Sequence, residues 1–315
     1  MNQIKYNIAV DLGGTRIKVG LMNEDSLVSK EIIDADPSGL CANMHNIENT
    51  IAHLVQQTQT THKNITGVGM AFPGIVNPVT KKVLSTNKKY DDAPAIDLEK
   101  WVDEKWNAKF YIDNDARMAT VGEWKFGAGK GSDNIVMLTI GTGIGSSTII
   151  EGKLLRGTHF QAGCLGGHFI VDHKGNLCSC GNIGCVEAQA STWSIVQRAK
   201  NDNGFKKSML SKIEKIDFQA VFNAAGKNDL LAIDLKHECM DIWAAGIINL
   251  IHAYDPEVVI LGGGILNSKD EILPYISERV NKYAWTPWGQ VELKASVLMS
   301  SAALLGVNYS MQHNL

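Results

Sequence analysis

Four residues near the middle of the sequence have the types and spacing of a metal site: His168, Cys178, Cys180 and Cys185, in the pattern H-x9-C-x-C-x4-C with glycines at 181 and 184. Three thiolates and one imidazole fill the tetrahedral shell of Zn²⁺, and the glycines let the chain bend tightly enough for the ligands to converge. With every position protein-filled, the metal would be structural. A redox C-x-C pair would leave the histidine and the third cysteine without a role. Cys41, Cys164 and Cys239 stand alone in the sequence and read as incidental thiols.

Three glycine-rich turns follow apolar runs: Asp11-Leu-Gly13-Gly14-Thr15, Gly141-Thr142-Gly143-Ile-Gly145 and Gly262-Gly263-Gly264. Such turns offer backbone N–H groups with no Cβ in the way, and so suit phosphate oxygens; Thr15 and Thr142 add hydroxyl donors. Asp11, at a strand end beside the first turn, can hold Mg²⁺ through water. A dinucleotide-binding fingerprint does not fit, because Gly141-x-Gly143-x-Gly145 lacks the wider final spacing and runs on into strand-like residues. No Gly-Lys-Ser/Thr is placed to make a Walker A loop. A further triplet, Asp113-Asn114-Asp115, stands between a short apolar run and a helical stretch. A carboxylate there can accept a proton or merely cap the helix, and the residue types leave both open.

The elements that must position these groups read as two rounds of one plan. Tyr6–Val10, the first glycine turn and Ile17–Leu21 make a hairpin, and the pattern returns as Asn134–Ile140, Gly141–Gly145 and Ser147–Ile150. The stripe Met44, Ile47, Ile51, Leu54, Val55 predicts a helix over 43–61, with a strand over 66–71 ending at Pro73-Gly74. Phe110–Ile112 reads as a strand and Ala116–Trp124 as a helix. In the second half, a long helix over 230–254 is stopped by Pro256, and the continuous apolar run Glu257–Leu261 reads as a doubly buried strand opening into Gly262. Lys200–Lys215 is polar and reads as a solvated surface excursion.

The 315 residues, 44% hydrophobic, suffice for about two domains. Thirty Lys and Arg against 33 Asp and Glu leave a net charge of −3, which argues against a general nucleic-acid binder. No run approaches the roughly 18 apolar residues of a membrane span, and the start lacks a signal-peptide pattern, so a cytoplasmic, membrane-free protein is expected.

Taken in order, Asp11-Leu-Gly-Gly-Thr15, Asn114-Asp115, Gly141-Thr-Gly-Ile-Gly145 and the cysteine cluster resemble the ROK family (repressor, open reading frame, kinase) of the sugar kinase and actin-like ATPase superfamily, and the likeness spans essentially the whole chain. The resemblance implies an α/β fold of two ribonuclease H-like lobes with ATP and sugar in a central cleft and a structural zinc loop at 168–185. The lobes are expected at 1–115, rejoined by a C-terminal helix at about 297–315, and at 116–296. It implies ATP-dependent phosphorylation of a hexose or hexose derivative, with Mg²⁺, in a homodimer. Asp115 would be the general base, and Gly74, Asn114, Asp115, His168 and Glu187 the sugar contacts. Asp11, Gly13, Gly14, Thr15, Gly141, Thr142, Gly143, Gly262, Gly263 and Gly264 would hold the nucleotide.

One departure stands out. ROK hexose kinases usually read Glu-x-Gly-His where this chain reads Leu165-Gly-Gly-His168, so a charged acceptor has become an alkyl group. That puts glucose specificity in question and opens the alternative of a catalytically impaired sugar sensor. ROK repressors carry an N-terminal winged helix-turn-helix of several dozen residues, whereas five or so residues precede the first strand here; the expectation is therefore a kinase.

Overall fold

A computed structural model describes residues 4–86 and 88–315. The chain divides into two compact units: residues up to Gly131 with Arg156–Ala162 and Ser300–Leu315, and Ser132–Leu155 with Gly163–Met299. In the first, β1 (Tyr6–Leu12), β2 (Arg16–Asn23) and β3 (Ser26–Asp34) precede α1 (Leu40–Gln57) and β4 (Ile65–Phe72). The two-stranded sheet of β5 (Gly74–Asn77) and β6 (Lys82–Thr86) follows, then α2 (Leu98–Trp106), β7 (Lys109–Asn114) and α3 (Asp115–Phe126). The main sheet runs β3-β2-β1-β4-β7, antiparallel as far as β1 and parallel beyond it.

The second unit holds β8 (Ile135–Ile140), β9 (Ile144–Ile150), β10 (Lys153–Leu154), α4 (Val186–Ala190), α5 (Thr192–Asn201), α6 (Phe218–Ala225), α7 (Leu230–Tyr254), β11 (Val258–Gly262), α8 (Lys269–Tyr283) and β12 (Glu292–Ala295). Its sheet runs β10-β9-β8-β11-β12 with the same alternation of antiparallel and parallel pairs. The repeated hairpin is thus the leading edge of a repeated sheet. Each unit has its own apolar core, centred on residues such as Ile8, Val68 and Ile112 in the first and Val136, Trp243 and Leu261 in the second.

The last helix, α9 (Ala302–His313), returns to the first unit and lies against α3. Glycines permit the approach: a Cβ on Gly306 would sit 1.8 Å from the Met118 carbonyl oxygen, and one on Gly122 would sit 2.1 Å from that of Ala302. Because α3 packs this way, the first unit continues to residue 131 rather than ending at the expected 115, and its returning segment starts at 300. Two other readings differ. α1 begins at Leu40 because Asp92, far away in sequence, accepts from the Leu40 and Cys41 N–H groups at 2.7 and 2.8 Å. The 200–215 stretch is not merely solvated: Leu210 is wholly buried, and Asp229 holds both Ser208 and the start of α7.

Replacing Gly306 by alanine is expected to destabilise the protein by about 2–3 kcal/mol, the upper end of the penalty for overpacking. The measurement is the urea midpoint; an unchanged midpoint would show that α3 and α9 have room to separate.

Candidate active site and metal centre

In the first unit, the residues with chemical potential collect at one edge of the sheet because adjacent strands end in register. Asp11 on β1 pairs with Ala71 on β4, which pairs with Asp113 on β7. The glycine turn after β1, Gly74 after β4 and Asp115 after β7 therefore emerge side by side, the usual position of sites on parallel sheets.

Asn114, not either aspartate, caps α3: its Oδ1 accepts from the Arg117 N–H at 3.1 Å. Its Nδ2 donates to the Gly74 carbonyl and to Asp115 Oδ1, both at 3.0 Å. Asp115 Oδ1 also accepts from the Ala116 N–H at 2.8 Å. One oxygen of Asp115 is thereby fixed, and Oδ2 has no partner among the described residues. Burial, reinforced by the carboxylate of Asp11, raises the Asp115 pKa to about 6, against the opposing effects of the Ala116 N–H and the Lys89 ammonium. A carboxylate tuned to that range is suited to general-base work near neutrality.

Two cations beside this carboxylate pair went unseen in the sequence. Lys18, opposite Asp11 in the hairpin, donates to Asp11 Oδ2 at 2.6 Å. Lys89 lies over the first glycine turn, its Nζ only 2.6 Å from where a Gly14 Cβ would be. The loop carrying Lys89 is held by Thr86 donating to Asp91, by Asp92 at the start of α1 and by Tyr90, whose hydroxyl donates to the Gly13 carbonyl at 2.7 Å. Burial and the charge of Asp11 push the Tyr90 hydroxyl up to about 12, so it stays a donor. In the turn itself, the N–H groups of Gly14 and Thr15 have no partner among the described residues, and both residues are exposed.

In the second unit, the Gly141–Gly145 turn and Gly262–Gly264 lie together because Thr139 on β8 pairs with Gly262 on β11. The carbonyls of Gly141 and Thr142 accept from the Thr192 and Trp193 N–H groups at 3.0 and 3.4 Å, and the Ile144 N–H donates to Glu187 Oε2 at 2.8 Å. The N–H groups of Thr142 and Gly143 are left without partners among the described residues. A Cβ on Gly141 or Gly264 would meet nothing within 4 Å, whereas one on Gly143 would strike Glu187 Oε2 at 2.5 Å and one on Gly263 the Ile140 carbonyl oxygen at 2.2 Å. Only some of these glycines, then, keep a face open; the others make room for the protein itself.

His168, Cys178, Cys180 and Cys185 converge, their ligand atoms all within 4.8 Å of one another. His168 Nδ1 is 3.5 Å from Cys178 Sγ, and Cys180 Sγ is 3.8 Å from Cys185 Sγ. Ligands of a tetrahedral Zn²⁺, with bonds of about 2.0 Å to nitrogen and 2.3 Å to sulfur, stand about 3.5–3.8 Å apart. The donor set fits that ion. Burial and the neighbouring thiols push the Cys185 thiol well up, a cost that a bound cation would reverse. Glu187 has both oxygens engaged: besides Ile144, Ser179 Oγ donates to Oε1 at 3.1 Å and Trp193 Nε1 stands 3.4 Å from it. Leu165 is half-buried at the entry to the short 3₁₀ turn carrying His168 and offers no side-chain acceptor.

A model of the ROK family matches residues 7–313. The chain belongs to the ROK family. Over 309 residues it is 32% identical to the glucokinase of Thermotoga maritima, covering 95% of each. A crystal structure of a ROK family glucokinase from Streptomyces griseus, in complex with glucose and AMPPNP, matches 98% of the ROK chain and 99% of its own, with a TM-score of 0.79 and 28% identity. The xylose repressor of Bacillus subtilis is 29% identical over 305 residues, 96% of this chain and 76% of the repressor. Kinases and repressors thus both stand among its relatives, and the sugar-kinase likeness extends over nearly the full length. None of the helices described is long and apolar enough to cross a membrane.

The charge environment of Asp115 is open to direct measurement. Asp11→Asn removes a like charge and is expected to lower the Asp115 pKa, whereas Lys89→Met removes a favourable cation and is expected to raise it. Titration of the carboxyl carbon by NMR reads both, and a value indifferent to Asp11→Asn would remove the like-charge cause.

Proposed function

We propose that this protein is a ROK sugar kinase on the two-lobed actin-like plan, transferring the γ-phosphoryl group of ATP to a hydroxyl of a hexose or hexose derivative. The observation that carries the reading is Asp115, with one oxygen pinned by Asn114 and Ala116, the other free, and a pKa near 6. Phosphoryl transfer to an alcohol asks the protein to orient the hydroxyl, take its proton and neutralise phosphate charge. Asp115 Oδ2 takes the proton as the hydroxyl oxygen bonds to the γ-phosphorus and the bond to the departing ADP breaks. Gly74 and Asn114 of the first unit, and His168 and the remaining acceptor capacity of Glu187 in the second, are the proposed sugar contacts; His168 has its second ring nitrogen available because Nδ1 faces the cysteines.

The unpartnered N–H groups of Gly14, Thr15, Thr142 and Gly143 and the open faces of Gly141 and Gly264 are the proposed phosphate and nucleotide contacts, with Gly13, Gly262 and Gly263 shaping the turns. Asp11 Oδ1, free of the Lys18 contact, fits an indirect hold on Mg²⁺, which supplies positive charge to the β- and γ-phosphate oxygens when bound with ATP. The cysteine cluster is the proposed seat of a structural Zn²⁺.

Asp115→Asn is expected to lower kcat by about 10² or more while sugar affinity stays within about tenfold. In the unmodified enzyme the base must be deprotonated, so kcat/KM should fall as pH drops below about 6. Near-normal turnover in the variant would take the role away from Asp115.

Leu165 directs the choice of sugar. A glucose hydroxyl facing this alkyl chain loses a charge-assisted hydrogen bond of about 1.5–3 kcal/mol, or roughly ten- to a hundredfold in affinity. Glucose is therefore expected to be a poorer substrate than a hexose with an altered or N-acetylated position there. Comparing kcat/KM for glucose, mannose, allose, fructose and N-acetylated hexosamines tests this: glucose as the best substrate would end the specificity argument, and sugar binding without turnover across the panel would select the sensor reading that Leu165 also raises.

A further inference from the structure

Glu187 is 4% exposed and follows Cys185 by two residues, and the hydrogen bonds of its oxygens reach in two directions. Oε2 accepts the Ile144 N–H and lies so close to Gly143 that no Cβ fits there. Oε1 accepts from Ser179, which sits between the cluster residues Cys178 and Cys180. We propose that Glu187 is a positioning residue that makes the order of the Gly141–Gly145 turn depend on metal at the His168/Cys178/Cys180/Cys185 cluster. The inference rests on reading that cluster as a zinc site and that turn as a nucleotide site.

The physical case lies in what else holds each end. The tip of the cysteine loop is open to solvent: Leu177 is 69% exposed, Ile183 47%, and Cys180 and Gly181 are exposed, while the Leu177–Ile183 bridge and the Cys178 N–H on the Asn182 carbonyl tie the tip to itself. Four ligand bonds would add the tie from this tip to His168. Fixing the two flanking thiolates fixes the Ser179 hydroxyl between them, and so the donor on Glu187 Oε1. At the far end, the turn is braced by three external bonds: the carbonyls of Gly141 and Thr142 on the start of α5, and the Ile144 N–H on Glu187. Without the last, the segment carrying the unpartnered Thr142 and Gly143 N–H groups keeps its bonds to α5 and the Ile140–Ile144 pairing of the hairpin but loses its side-chain anchor at Ile144. Among the described residues, Glu187 is thus the side chain that joins the loop's hydroxyl to the turn's amide, and a Cβ at Gly143 would collide with it.

The test uses the full chain carrying one equivalent of zinc, with no sugar present. Removing the metal with a chelator should increase hydrogen exchange at the Ile144 amide by about tenfold or more, the scale of one lost hydrogen bond, and weaken binding of a non-hydrolysable ATP analogue about as much. Exchange in β11 reports that the unit remains folded. Ser179→Ala, which keeps all four ligands, should produce part of both effects with zinc in place, and in Glu187→Gln chelation should add little. The coupling is overturned if the purified protein carries no zinc, if chelation leaves Ile144 exchange unchanged, or if Ser179→Ala exchanges and binds like the unmodified chain. Exchange that follows zinc in a loaded protein that binds no nucleotide would uphold the coupling and defeat the kinase reading; nucleotide binding indifferent to zinc, with unaltered exchange, would do the reverse.

Discussion

Burying a carboxylate is costly unless cations are buried with it, and Asp113, wholly buried at the end of β7, has two. Arg156 approaches through Nε and Nη2 at 2.9 and 2.7 Å, and Arg117 through Nη1 at 3.3 Å, while the Asn114 N–H donates to Oδ1 at 2.7 Å. Removing one partner of such a cluster typically costs about 3–5 kcal/mol because the remaining charge is stranded. The consequences spread outward. Arg117 Nη2 also donates to the carbonyls of Phe160 and Ala162 at 3.0 Å, so the 156–162 segment is fastened to the first unit although the chain on either side of it belongs to the second. Arg117 is simultaneously the residue whose N–H Asn114 caps. The ion cluster therefore fixes the strand end, the cap and the direction in which Asp115 leaves the helix.

Asp113 and Asp115 show how two carboxylates of one short sequence acquire different work. The first is enclosed by guanidinium groups and has no free acceptor position directed at a ligand. The second, two residues on, has only neutral donors on one oxygen and a like charge nearby, and its proton affinity rises. The residue types leave a carboxylate here as either cap or base, and the resemblance chooses Asp115 as the base; the cap is the asparagine between the two aspartates.

Much of the fold was legible because its signals are local. Glycines at strand ends marked both hairpins, the apolar run before Gly262 marked β11, and the spacing of His168 and the three cysteines anticipated their convergence. What escaped was carried by contacts distant in sequence. Lys18 is an ordinary strand residue until the hairpin sets it opposite Asp11, and Lys89 belongs to a loop whose position depends on Tyr90 and Asp92 reaching other elements. The packing of α3 is equally non-local, since a helix almost two hundred residues later lies against it through Gly122 and Gly306. The resemblance implies Glu187 only as a sugar contact; a signal for its buried partners did exist in an acidic residue two places after the last cysteine, in a short and mostly apolar helical turn.

The two hairpins share a plan but not an electrostatic character. Around the first turn stand Asp11, Asp115, Lys18 and Lys89; burial first, and then the charge of Asp11 against that of Lys89, set the proton affinity of Asp115. At the second, the carboxylate of Glu187 is turned inward onto Ile144, Ser179 and Trp193, and the turn carries unpartnered neutral N–H groups and a threonine hydroxyl among the described residues. Neutral donors can hold phosphate oxygens without shifting the titration of a nearby base, whereas charged groups cannot. On the proposed reading, this divides the labour: proton transfer and charge compensation fall to the unit that carries charges, and phosphate positioning to the one that carries amides. The glycines mark the division. Gly14 yields to a lysine and Gly143 to a buried glutamate, while Gly141 and Gly264 are left open to whatever approaches from outside.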